Sequence, residues 1–159
     1  MPKADFRFHT TVRVRWAECD PQNIVYYPHY LTWLETALAE YCRRIGFRMY
    51  RLAELNRFDT VTAKITVEYK APARLDDVVE VYARSAQVGN TSLTFQYELY
   101  RQGEESLLTR AEVVYVSYDN QAQRPRRVPK EIRQAYERFE ETGEPMPLDG
   151  VPLFADALA

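Results

Sequence analysis

Asp20 is the residue whose type and setting best suit acid–base or covalent chemistry, because its Asp-Pro-Gln-Asn turn runs into an amphipathic helix. Pro28 falls at the first helical position or within the first turn, where a missing N–H is tolerated. Either placement leaves the Tyr27 N–H without a partner inside the helix. Unpaired donors at a helix start, aligned with a macrodipole worth roughly +0.5 elementary charge, suit a developing oxyanion. One N–H aimed at a thioester or ester oxygen contributes on the order of 10²–10³ in rate. A nearby carboxylate, ionised at neutral pH, can attack the carbonyl or take a proton from water. Asp20 and Tyr27 are therefore the candidate catalytic pair for acyl chemistry, with Asp20 as nucleophile or general base. The competing reading is structural, since Asx side chains often only hydrogen-bond their own turn.

Other reactive side chains are less well placed. Cys19 adjoins Asp20, but no histidine stands near it in sequence to activate a thiol. Cys19 and Cys42 are not spaced as metal ligands, and no metal or cofactor is expected. His9 alternates outward from the first strand and His29 opens the helix, and neither position implies a role. A Gly-x-Ser-x-Gly elbow, which a Ser-His-Asp triad of that type needs, is absent.

The elements that must position Asp20 follow from periodicity. Residues 6–16 alternate as a half-buried strand, with Phe6, Phe8, Val12, Val14 and Trp16 on one side. In the helix that follows the turn, Leu31, Leu34, Leu38, Tyr41, Cys42 and Ile45 form an apolar stripe, and Gly46 ends it in a left-handed cap. Tyr30, Trp33, Ala37 and Ala39 broaden the stripe, so other structure should wrap this helix. Four more strands are expected over 60–70, 77–88, 91–101 and 106–118. Gly89-Asn90 signals a tight hairpin, Gly103 serves the next connection and Ala71-Pro72-Ala73 marks a corner, which together predict antiparallel pairing. A closing helix spans 129–141, and residues 142–159, with Pro145, Pro147 and Pro152, read as an irregular tail. The order implies an α+β fold in which one curved antiparallel sheet wraps a long helix. Sheet edges left open in this way are commonly covered by a second copy, so at least a dimer is expected.

The chain's 159 residues fit a single domain that buries about 70% of its unfolded surface. A net charge of −2, with the two signs interspersed, gives no footprint for nucleic acid. No apolar stretch of about 18 residues and no leader are visible, so no membrane partner is expected and a reducing cytoplasm is the natural location.

The segment Asp20-Pro21-Gln22-Asn23-Ile24-Val25-Tyr26-Tyr27-Pro28-His29-Tyr30 resembles the active-site segment of the 4-hydroxybenzoyl-CoA thioesterase-like branch of hotdog-fold proteins. Tyr69-Lys-Ala-Pro-Ala-Arg-Leu-Asp-Asp77-Val, Gly89-Asn-Thr-Ser92 and Arg124-Pro-Arg-Arg-Val-Pro129 follow in the family's order and approximate spacing. The resemblance implies a hotdog fold, with two subunits joining their sheets and an acyl-thioester site at the interface. It casts Asp20 as the catalytic carboxylate and the Tyr27 N–H as the donor that polarises the thioester carbonyl. Asn23, Ile24, Val25 and Pro28 fall within the substrate-binding segment. Glu35 matches a position where the hydroxybenzoyl-specific member carries an acid that meets the far end of the acyl group; alternatively, Glu35 serves a polar network within this chain.

Two departures bear on the substrate. Family members usually have Gly where this chain has Asn23, the best non-Gly residue for a left-handed turn. The basic cluster that meets the nucleotide phosphates before the position of Ser92 is replaced by Gln87-Val-Gly-Asn-Thr. Arg84, Arg101 or the Arg124–Arg127 turn are alternative phosphate partners, and an acyl-carrier-protein or other pantetheine thioester is an alternative to acyl-CoA. The leading expectation is thioester hydrolysis by a homodimer or tetramer. Its rivals are a non-catalytic acyl-thioester binding module and a hotdog hydratase or dehydratase, although the Asp-x-Asn-Pro-x-His arrangement of the latter is missing.

Overall fold

The computed structural model describes residues 3–159. Five strands, β1 (Phe8–Arg13), β2 (Thr60–Tyr69), β3 (Val78–Val88), β4 (Ser92–Arg101) and β5 (Leu107–Asp119), form a curled sheet in the spatial order β1-β3-β4-β5-β2. Every pair is antiparallel, and a two-residue β6 (Arg124–Pro125) pairs with β5. β1 and β2 occupy opposite edges. The 17-residue helix α1 (His29–Ile45) comes between them in the chain and lies against the inner face of the sheet. The pattern of α1 explains its position. Trp33, Leu34, Ala37, Leu38, Tyr41, Cys42 and Ile45 are all buried, packed against Leu93, Phe95, Tyr97, Val113 and Tyr115 from the inner face of β4 and β5. Other structure therefore wraps the helix along this broad stripe, while Thr32, Glu35, Thr36, Arg43 and Arg44 keep the opposite face exposed. Gly46, at φ 127°, ends it and donates its N–H to Cys42 O.

The first strand is shorter than its alternation suggests, ending at Arg13. Trp16 lies in a 3-10 turn (Trp16–Glu18) and is 83% exposed. Phe6 precedes the strand and crosses to the outer face, where it meets Tyr82 edge-on while His9 stacks on the same ring. A six-residue helix α2 (Met49–Glu54) has no counterpart in the sequence expectations, being too short to show a period. The closing helix α3 runs Lys130–Thr142, with Pro129 as its N-cap. Beyond it, the tail carries a 3-10 turn (Pro152–Phe154) and a bridge between Phe47 and Leu158. Among the described residues, no helix is long and apolar enough to cross a membrane.

Candidate active site

Residues 18–26 form a miniature hairpin that presents Asp20. Its arms are joined by a bridge between Cys19 and Val25, by Tyr26 N–H to Glu18 O at 2.8 Å and by Asp20 N–H to Ile24 O at 2.9 Å. Asn23 turns the chain at φ 65°, donating its N–H to Asp20 O at 2.9 Å, so the left-handed geometry expected of it is present. Val25 is buried and donates to Ala73 O, whose own N–H donates to the Tyr30 hydroxyl at 3.0 Å. The Ala71-Pro72-Ala73 corner thus holds both the hairpin and the first turn of α1.

Asp20 is half-buried. Its Oδ1 accepts the Gln22 N–H at 2.8 Å, the Asx turn that the structural reading anticipates. That bond leaves the other carboxylate oxygen, Oδ2, without a donor among the described residues. The same carboxylate is therefore oriented by its turn and still open to a ligand.

Helix α1 starts at His29, with Pro28 as N-cap in αR geometry rather than as the first helical residue. The shift does not rescue Tyr27. Its N–H has no acceptor among the described residues, whereas the Tyr26 N–H is taken by Glu18. The Tyr27 carbonyl accepts the Tyr69 hydroxyl of β2 at 2.8 Å, which ties the peptide after the free N–H to the sheet edge. A carboxylate oxygen on one arm and an unpaired donor just past the other, at a helix entrance, is an arrangement suited to an acyl carbonyl and its oxyanion.

Glu18 is a site residue that sequence reasoning missed. It is only 3% exposed, yet both carboxylate oxygens are occupied: Oε1 by the Arg15 N–H at 2.8 Å and Oε2 by the Trp33 indole N–H at 2.9 Å. A carboxylate two residues before Asp20 is the available sequence signal, and nothing local announces its partner on α1.

Glu35 lies on a different part of α1. It lines a cavity of about 250 Å³ between α1, α2 and the sheet, together with Leu31, Leu34, Tyr50, Phe58 and Tyr115. The Tyr50 hydroxyl donates to Glu35 Oε1 at 2.6 Å, and burial followed by this bond pushes its pKa up to about 12. Asp20 and Tyr27 do not line this cavity. α1 links the two places: Tyr27 is just outside its start, and Leu31, at the cavity, is one turn in.

Of the arginines expected as phosphate partners, Arg101 and Arg126 are committed elsewhere, whereas Arg124 and Arg127 are exposed. The Arg101 guanidinium donates to Asp77, Glu104 and Pro72 O, and Arg126 donates to Asn56 O. Cys19 Sγ faces Arg15 O at 3.8 Å. No cluster of three or more metal-ligating side chains occurs among the described residues.

A curled antiparallel sheet wrapped around a long helix is the hotdog architecture. The chain belongs to the thioesterase-like superfamily, whose family model matches residues 14–136. It is 37% identical over 125 residues to the acyl-CoA thioester hydrolase YbgC of Escherichia coli, covering 79% of this chain and 92% of that protein. It is 25% identical over 121 residues to the 4-hydroxybenzoyl-CoA thioesterase of a Pseudomonas species, covering 73% and 86%. Among solved structures, a hypothetical protein of Thermus thermophilus superposes with a TM-score of 0.75 at 28% identity, covering 82% of this chain and 97% of the other.

Proposed function

We propose that this protein hydrolyses acyl-CoA thioesters, with Asp20 as nucleophile or general base and the Tyr27 N–H as oxyanion donor. The observation that carries the reading is an undonated Asp20 Oδ2 on one arm of the hairpin and an unpartnered Tyr27 N–H just past its other arm, before the start of α1. The names of the relatives support the CoA carrier. With the thioester carbonyl at the helix entrance, the acyl group extends along α1 over Leu31 toward Glu35, roughly 10 Å on at 1.5 Å per residue. Asn23, Ile24, Val25 and Pro28 shape the entrance. Glu35, already accepting a bond from Tyr50, suits a polar end of the acyl group.

The working unit is a homodimer or higher oligomer. Tyr27 is 62% exposed, and the edge strand β2 leaves Ile65 and Tyr69 exposed on the inner side of the sheet and Val61 on the outer side, an open edge that a second copy would cover. The catalytic domain spans residues 1–141, with 142–159 packed against it. Two free cysteines suit a reducing cytoplasm.

Thiol release from hexanoyl-, benzoyl- and 4-hydroxybenzoyl-CoA tests the reading. Saturable turnover of at least one ester is expected. Saturable binding with no thiol released would replace hydrolysis by a binding role.

A further inference from the structure

We infer that the C-terminal segment 151–159 determines acyl specificity by fixing α2 as one wall of the cavity. The inference rests on the reading of that cavity as the acyl site.

Helix α2 has six residues, and isolated helices shorter than about 12–15 residues are marginal in water, so its position depends on what grips it. One side of α2 supplies Met49, Tyr50 and Ala53 to the cavity. Arg48 and Arg51, on another side, face the C-terminal segment. Arg48 donates from Nε to Leu158 O at 3.1 Å and from Nη2 to Asp156 O at 2.9 Å, and Arg51 Nε reaches the same Asp156 O at 3.4 Å. Past the end of α2, Arg57 Nη1 donates to the carbonyls of Leu153 and Ala155. Three arginines thus hold four carbonyls of one short segment.

The backbone and the core add to this grip. Arg48 N–H donates to Ala157 O at 2.8 Å and Ala159 N–H to Gly46 O at 2.9 Å, which closes the bridge between Phe47 and Leu158. Phe154 is fully buried, with its ring 5.2 Å from that of Phe47. The segment therefore binds α2 before its first residue, in its middle and beyond its last. All of these tail residues lie outside the stretch that matches the family model.

The consequence concerns size. Tyr50 donates to Glu35 only while α2 is held in place, and together they limit the cavity beside α1. Loosening the brace lets α2 move outward and admits longer acyl groups.

The test uses the full chain with the double variant Arg48→Ala/Arg57→Ala, and Arg138→Ala on the exposed face of α3 as control. Hydrogen exchange of the α2 amides and kcat/KM for benzoyl- and dodecanoyl-CoA are measured on each. The expected result is α2 exchange about tenfold faster and a dodecanoyl-to-benzoyl ratio about fivefold higher in the double variant, with neither changed in the control. Unchanged exchange would show that the segment does not hold α2, and faster exchange with an unchanged ratio would show that α2 does not set specificity. A native chain that hydrolyses none of benzoyl-, dodecanoyl-, hexanoyl- and 4-hydroxybenzoyl-CoA overturns the functional reading, and this inference with it. If the double variant fails to fold, Arg57→Ala and Phe154→Leu singly give the same two readouts.

Discussion

The Trp33 indole of α1 donates to the buried Glu18 carboxylate at 2.9 Å, and this bond joins the central helix to the hairpin that carries Asp20. Glu18 O also takes the Tyr26 N–H, so one residue sets the arm leading to Asp20 against the arm leading to Tyr27. In the functional reading, Glu18 is a positioning residue.

Glu18→Gln tests that role, because an amide cannot accept from both Arg15 N–H and Trp33 Nε1–H as the two carboxylate oxygens do. The expected result is a roughly tenfold lower kcat at nearly unchanged KM, with a stability loss of about 1–3 kcal/mol from an unsatisfied buried group. Trp33→Phe removes one of the two donors, so in that background Glu18→Gln should cost less than it does alone. A double-mutant cycle of kcat checks this coupling. A purely structural contact would lower the melting temperature and leave the kcat of the folded enzyme unchanged.

Asn23 gives a backbone prediction. At φ 65° a β-branched side chain is strained, so Asn23→Val should destabilise by about 1–2 kcal/mol and displace Asp20 enough to reduce turnover. Asn23→Gly restores the residue usual in the family and should keep turnover within about twofold of the native chain. Thermal unfolding and kcat for the two variants together check the account.

Much of this architecture was legible in local patterns. The α1 stripe, the five main strands, their antiparallel pairing and the Asp20 turn all follow from periods and turn residues that lie within a few positions of one another. What escaped depends on contacts distant in sequence. The six residues of α2 are too few for a period and are held by a segment about a hundred residues later. Trp16 continues the alternation of the first strand, but a 3-10 turn takes it out to solvent. The sequence puts Pro28 at the first helical position or within the first turn, but it lies one residue earlier, as the cap before His29, a one-residue shift that its fixed φ alone does not reveal. Glu18 and Tyr69 could not be recognised as supports of the site, because their partners Trp33 and Tyr27 stand 15 and 42 residues away.

Glu140 supplies a pH prediction. Burial raises its carboxyl pKa from the usual value, although its Oε1 accepts the Tyr41 hydroxyl at 2.6 Å and the Ser85 N–H at 3.0 Å. A folded-state value above the unfolded one means that the stability it contributes is complete below the unfolded carboxylate pKa and is lost as pH rises through the folded value. Glu140→Gln keeps an oxygen for both donors and removes the buried charge. Its melting temperature should exceed that of the native chain near about pH 7.5, and the difference should vanish near about pH 3.5, where both side chains are neutral. Melting curves across that range check the sign.

The central claim is that Asp20 performs the chemistry on an acyl thioester. Thiol release from hexanoyl-, benzoyl- and 4-hydroxybenzoyl-CoA by the native chain and by Asp20→Asn, both verified to have the same oligomeric state, tests it most directly. Asparagine can preserve the bond from Gln22 N–H, so the hairpin should persist while the carboxylate is lost. The account predicts that turnover falls by at least about a hundredfold in the variant while substrate binding remains. Turnover in Asp20→Asn equal to that of the native chain would contradict it.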